Sequence, residues 1–277
     1  MTAYLDALSE WPVDNVAAAL LRDGEVVETL GEVSRVFSVA SVTKPVVAYG
    51  VMLAVEEGAL ELDQPAGPEG STVRHLLAHA SGVGFDSREL QKPVGQRRIY
   101  SSAGYEWLAE LVGEATGMEF ADYLAEGVFA PLGMTDSALV GSAGHGLDTT
   151  VEDVVAFAAE VMNPQLLHPS TVADMLNPQF AELDGIVPGY GMHKPCPWGL
   201  GFELKGDKGV AGGKPHWTGA EMPAATAGHF GMSGTYLWIA PEEKLAMVAL
   251  TDRDFGDWAK PLWAETNDRV WQQLGDH

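Results

Sequence analysis

Ser41 and Lys44, in the run Ser41-Val42-Thr43-Lys44, place an alcohol and an amine three residues apart. If the run turns as a helix, positions i and i+3 share a face, and the ammonium stands beside the hydroxyl at the positive end of the helix. An amine able to take the proton of a neighbouring alcohol is how a weak alcohol nucleophile is activated. The following residues support the helix. Pro45 comes early enough for its missing N–H to cost little, Val46, Val47, Tyr49, Val51, Met52, Leu53 and Val55 leave almost no polar face, and Gly58 ends the run. Ser41 is then expected to be its N-cap, in the first turn. Two specified residues in four are a weak signal by themselves, so the rest of the chain has to raise it.

Two later stretches do so. Tyr100-Ser101-Ser102 closes a polar segment, Asp86 to Arg98, and precedes a helix written by Tyr105, Leu108, Leu111, Val112 and Ala115 up to Gly117. Tyr100 and Ser102 are therefore expected in a loop held by a rigid element. His229-Phe230-Gly231 follows a Gly-rich excursion, Lys205 to Thr226, and precedes two β-prone runs. Taken singly, Tyr100 reads as a packing tyrosine and His229 as a structural donor. His75 and His79 stand at i, i+4 without the Glu of a His-Glu-x-x-His site, so no metal is expected. The chain has no Gly-x-Ser-x-Gly elbow, and the runs around Gly212 and Gly231 lack the Gly-Lys-Ser/Thr ending of a phosphate loop, so no cofactor is expected either.

The elements that must position these residues are legible in outline. Val16–Leu21 and Glu25–Leu30 flank Asp23-Gly24, a hairpin signal, and a short strand from Arg35 to Val39 delivers the chain to Ser41. From Gly58 to Phe180 the text is mainly helical. Thr72 or Ser71 caps a helix through His79, Ser81 reads as a cap, and further helices are expected at Glu119–Phe129, Val151–Met162 and Ser170–Leu176. Asp184 to Pro197 reads as an irregular connection, Trp198–Leu204 as a strand, Thr235–Ala240 and Leu245–Thr251 as a second hairpin, and Asp257–Leu274 as a helix on a sheet. The expected class is α+β, an antiparallel sheet built from the N- and C-terminal segments and flanked by helices, with a mainly helical region inserted. In residues, 1–58 plus 198–277 form the sheet domain and 59–197 the insertion, with the site in the cleft between them.

Composition sets the outer limits. Among 277 residues, 16 basic against 39 acidic side chains give a formal charge of −23, which repels phosphate backbones and anionic membranes. Neither nucleic acid nor a membrane is therefore expected as a partner. Cys196 is the only cysteine, so no intrachain disulfide can form, and the start Met1-Thr2-Ala3-Tyr4-Leu5-Asp6 has no basic and apolar leader pattern. A cytoplasmic location is the expectation.

Ser41-Val42-Thr43-Lys44, Tyr100-Ser101-Ser102 and His229-Phe230-Gly231, in that order, resemble the penicillin-recognising serine hydrolases, in the branch of class C β-lactamases, D-Ala-D-Ala peptidases and related esterases. Leu76-Leu77-Ala78-His79-Ala80-Ser81-Gly82, Pro131-Leu132-Gly133-Met134 and Trp198-Gly199-Leu200-Gly201 also look like the family, and the likeness runs from about Val16 to the C-terminus. The resemblance implies a β-lactamase/transpeptidase-like fold, Ser41 as the acylated nucleophile, and Lys44 and Tyr100 as the groups that handle its proton. It further implies an oxyanion hole from the N–H groups of Ser41 and Met232, with Gly231 allowing close backbone approach. Ser102 replaces the Asn usual in the second motif, and His229 replaces the Lys of many third motifs. The substrate expected is a small ester, amide or lactam, with an esterase ranked slightly above a β-lactamase or D-amino-acid peptidase. A silent relative that only binds a ligand or partner is the alternative from another class.

Overall fold

The computed structural model describes residues 3–208, 210–211 and 214–275, so Met1 and Thr2 of the leader reading and Gly212 of the Gly-rich run lie outside the described residues. Strands β1 (Val16–Arg22) and β2 (Glu25–Leu30) form the expected hairpin. Its turn residues Asp23 and Gly24 have φ of 53° and 82°, the paired left-handed conformation that an Asp-Gly turn supplies. Strand β1 pairs antiparallel with Leu245–Thr251, which pairs with Thr235–Ala240, then Ala227–Gly231, then the short Glu203–Leu204, completing a six-stranded sheet. Segments from the two ends of the chain thus meet side by side, as the two hairpin signals require.

The period of two in these strands sorts their side chains between two cores. Ala17, Ala19, Leu21, Leu237, Ile239, Ala246 and Val248 face one helical layer. Ala18, Leu20, Tyr236, Trp238, Met247 and Ala249 face the other, made by the C-terminal helix Ala259–Gly275 with Trp263, Val270 and Leu274. In that second core the buried Asn267 Oδ1 accepts from Tyr236 Oη at 3.1 Å and Trp238 Nε1 at 3.0 Å, so these two aromatic polar tips are satisfied without water.

Helix α1 (Thr43–Glu56) runs through the first core with every residue from Thr43 to Ala54 buried, which is why its sequence is apolar on all sides. Against it lie α2 (Val73–Leu77), α3 (Ser102–Thr116) and the helix Val151–Met162. No helix of the described residues is long and apolar enough to cross a membrane.

Several expected boundaries move. The strand before Ser41 is only β3 (Phe37–Ser38), and it pairs with Leu147–Thr149 in a separate three-stranded sheet. The expected strand Trp198–Leu204 shrinks to Glu203–Leu204, because Gly199 and Gly201 take the chain around a turn closed by a Trp198–Glu203 bridge. The helix expected at Glu119–Phe129 is α-helical over Phe120–Leu124 and continues as one π-helical turn, Ala125–Phe129. Asp184–Pro197, expected to be irregular, contains a small hairpin of Gly185–Val187 and Gly191–His193. Helix α2 stops at Leu77, so Ser81 caps nothing and instead accepts from Val83 N–H at 3.4 Å.

Candidate active site

Ser41 lies in a 3-10 turn, Ala40–Val42, immediately before α1, rather than at the helix N-cap. The N-cap is Val42, which makes no side-chain cap, and the Ser41 hydroxyl is therefore not committed to the helix backbone. Ala40 has φ of 45°, a left-handed conformation that costs a non-glycine residue on the order of 1 kcal/mol. The turn is held from both sides: Thr235 Oγ1 donates to Val39 O at 2.9 Å, and Val39 N–H donates to Leu147 O at 3.0 Å. Gly231 faces the same turn. A Cβ built on it would lie 2.2 Å from Val39 O and 2.5 Å from Thr235 Oγ1, so only glycine lets the strand carrying Met232 pass this close to Ser41. Met232 is pinned in turn by its carbonyl, which accepts from Phe255 N–H at 2.8 Å. Glu203–Leu204 pairs only with Ala227 and Gly228, leaving His229–Gly231 as a free sheet edge at the cleft.

Lys44 is wholly buried. Its Nζ donates to Ser41 Oγ at 3.4 Å, Ser102 Oγ at 3.1 Å and Gly144 O at 2.7 Å, and it sits 4.5 Å from the centroid of the Tyr100 ring. All three acceptors are neutral. Burial lowers its pKa to about 7, opposed only by the attraction of the more distant Glu106 carboxylate. Gly144 is a partner that residue types gave no means of finding, since a backbone carbonyl carries no signal in the sequence. Its loop is brought in by the small sheet, where Leu147 N–H donates to Thr43 Oγ1 at 3.0 Å, and its lack of a side chain is required because a Cβ would lie 2.6 Å from Ser102 Cβ.

Tyr100 is placed by anchors on either side. Two residues earlier, the buried Arg98 guanidinium gathers the carbonyls of Ala78, Gln179, Phe180 and Cys196. One residue later, Ser101 caps α3, accepting from Gly104 N–H at 2.9 Å, while its own N–H donates to His79 Nδ1 at 3.1 Å. Ser102 is consequently the first residue of α3 and not a loop residue as expected. His79 spends Nδ1 on this contact, and His75 spends Nδ1 on Thr72 Oγ1 at 2.8 Å with its ring stacked on Phe180, so both rings serve local structure.

Burial pushes the Tyr100 phenol well above its ordinary range, with the Ser41 hydroxyl pulling it part-way back. Its Oη lies 3.5 Å from His229 Nε2. Burial, followed by the repulsion of Lys44, lowers His229 to about 3, so the ring is neutral, and its Nδ1 donates to Phe230 O at 2.7 Å. That tautomer leaves Nε2 as the acceptor for Tyr100. Ser41, Tyr100, His229 and Met232, with Phe85, Pro188, Trp198, Glu203 and Phe230, line one cleft of about 210 Å³. Every residue singled out from sequence (Ser41, Lys44, Tyr100, Ser102, His229, Gly231 and Met232) is thus gathered at or against this cleft.

Sequence reasoning missed the wall behind it. Glu203 Oε1 accepts from Lys208 Nζ at 3.0 Å and lies 2.8 Å from His216 Nε2, and Oε2 accepts from Trp217 Nε1 at 2.9 Å. All four side chains are buried. Burial alone would raise the Glu203 carboxyl, but Lys208, His216 and Trp217 hold it well below the usual carboxylate range. A glutamate in a two-residue strand and a lysine in a polar excursion give no warning in sequence that they meet.

The Beta-lactamase family model matches residues 10–268. This chain belongs to the Beta-lactamase family. It superposes on a β-lactamase from Mycobacterium bovis (Mb2281c) with a TM-score of 0.94 and 46% identity, covering 98% of this chain and 99% of that one. Among curated relatives, penicillin-binding protein 4* of Bacillus subtilis is 30% identical over 135 residues, 36% of this chain and 30% of that protein. Esterase EstB of Burkholderia gladioli is 31% identical over 152 residues, 38% of this chain and 39% of that protein. These matches span about a third of the relatives' own length. EstCE1, a hydrolase with promiscuous acyltransferase activity, shares the fold at a TM-score of 0.79 with 15% identity, covering 97% of this chain and 96% of that one. The α+β sandwich with an antiparallel sheet is therefore the β-lactamase and penicillin-binding-protein fold.

Proposed function

We propose that this protein is a serine hydrolase that cleaves a small ester through a Ser41 acyl-enzyme. The observation that carries the reading is a fully buried Lys44 whose three acceptors are all neutral and whose Nζ stands 3.4 Å from Ser41 Oγ. With its pKa lowered to about 7, a large share of Lys44 is free amine at neutral pH, whereas the Tyr100 phenol stays protonated. Lys44 is accordingly the resting base and Tyr100 the proton carrier in this reading, and the two opposite shifts are what support the choice.

In this reading the Lys44 amine takes the Ser41 proton as Oγ attacks the carbonyl carbon. The charge that develops on the carbonyl oxygen is met by the N–H groups of Ser41 and Met232. As the tetrahedral species collapses, Tyr100 gives its proton to the departing oxygen and regains one from the Lys44 ammonium. Water then repeats the sequence on the acyl-enzyme, with Lys44 taking its proton and Ser41 leaving. The third motif contributes no cation, because His229 is neutral, so a substrate carboxylate gains no fixed positive partner there. That is the ground for ranking an ester above a β-lactam or a D-amino-acid peptide.

The test is intact-protein mass spectrometry with a fluorophosphonate, run alongside turnover of 4-nitrophenyl butyrate and of a chromogenic cephalosporin. A single adduct and ester turnover, both lost in Ser41→Ala, are expected. Fast cephalosporin turnover with little ester hydrolysis would reverse the ranking, and a folded protein that neither labels nor turns over would make it a silent relative.

A further inference from the structure

A second cleft, of about 380 Å³, shares Phe85, Tyr100 and Pro188 with the cleft at Ser41. The two are thus continuous across the Tyr100 ring, yet their chemistry differs. The first is walled by Trp198, Phe230 and Met232, and its only ionised wall, Glu203, is already matched by Lys208. The second is lined by Lys92, Arg97 and Arg98 and by no acidic residue. In a chain with 39 acidic and 16 basic residues, a cleft with three cations and no carboxylate in its wall runs against the composition.

The three cations are not equivalent. Arg98 spends its guanidinium on backbone carbonyls of the fold. Lys92 and Arg97 form no ion pair among the described residues, and the recorded side-chain contact of Arg97 is to Met192 Sδ at 3.4 Å, a weak acceptor. A half-buried guanidinium with donors to spare, beside an exposed ammonium, fits a carboxylate or phosphate.

We propose that this cleft is the leaving-group subsite and that it binds an anionic group on the leaving alcohol, while the apolar cleft takes an uncharged acyl group. The assignment of ends rests on the serine-hydrolase reading above. Ser41 and Met232, which must flank the acyl carbon, line the first cleft only, whereas Tyr100, which protonates the departing oxygen, lines both. The preferred substrate is therefore an ester of an apolar acid with a hydroxy compound bearing a carboxylate or phosphate. Lys92 and Arg97 act as its specificity residues.

Matched esters test this. The ratio of kcat/KM for 3-carboxy-4-nitrophenyl butyrate to that for 4-nitrophenyl butyrate is expected to fall about fivefold in Arg97→Gln at low ionic strength, less in Lys92→Gln, and to fall with added salt in the wild type. A phosphate in place of the carboxylate separates the two anions by which ester loses more. Lys244→Gln, a cation on the distant hairpin paired with Asp23, is the control and leaves the ratio unchanged. Equal losses on both esters overturn the proposal, as does an Arg97 effect seen only with 4-nitrophenyl hemisuccinate, whose charge is on the acyl side. Binding of the products, 5-hydroxy-2-nitrobenzoate against 4-nitrophenol, is measured by calorimetry on the same proteins. If no ester turns over, the hydrolase reading fails, and Arg97-dependent preference for the carboxylated phenol then still decides for or against the anion site.

Discussion

Among the described residues, Lys44 and Lys208 are wholly buried, and they have opposite surroundings. Lys208 donates to the Glu203 carboxylate at 3.0 Å and to the carbonyls of Leu204 at 2.7 Å and Pro197 at 2.9 Å. Lys44 donates only to two hydroxyls and one carbonyl. Neutral acceptors replace some of the hydration an ammonium loses on burial, but they supply no opposite charge, so the free amine becomes accessible near neutral pH. A carboxylate at contact supplies that opposite charge and leaves a compensated pair inside the fold. Equal burial therefore leaves one lysine among neutral acceptors and ties the other into an ion pair.

The largest effect that would break this contrast is on turnover. Lys44→Met is expected to lower kcat/KM by about 10³-fold or more, in the range seen when a member of a nucleophile-base set is removed, with the folded state retained by circular dichroism. A modest loss would move the role of base to Tyr100. At the other lysine the effect falls on stability. Glu203→Gln leaves a buried ammonium without its counter-charge and is expected to cost about 3–5 kcal/mol in denaturant unfolding, whereas an unchanged midpoint would mean that the pair is not compensating.

The pH dependence sharpens the same comparison. With Lys44 as the proposed base, kcat/KM for an uncharged ester should be lost as pH falls through about 7 and level off above it. The sign for stability follows from the same shift. The unfolded chain holds the Lys44 proton up to its ordinary value of 10.5 while the folded one releases it near 7, so Lys44 makes stability rise with pH across that window, a slope that Lys44→Met removes. The smallest effect is expected in Ser102→Ala. Losing one of three acceptors weakens the ammonium form, so the midpoint of the activity profile should move down by roughly one unit, with little change on the plateau. A midpoint that stays put would show that Ser102 does not hold the ammonium.

The chain by itself determined much of this. β-Prone runs around Asp23-Gly24 and at Thr235–Ala240 and Leu245–Thr251 wrote the sheet, and the central strands are apolar at successive positions because both of their faces are buried. Three ordered motifs named Ser41, Lys44, Tyr100, Ser102 and His229, since side-chain chemistry is carried by residue type, and the family resemblance added Gly231 and Met232, whose part is in the backbone. Element ends were less legible: the 3-10 turn at Ser41 and the turn at Gly199–Gly201 are set by what packs against them, and local propensity does not record that. Only the tertiary structure decided how differently the two lysines are surrounded. The neutrality of Lys44's surroundings depends on Gly144, 100 residues away, offering a carbonyl, and the compensation of Lys208 depends on Glu203 facing it from an edge strand. Electrostatic energy depends on distance and burial, and neither is a property of a residue's type or of its place in the chain.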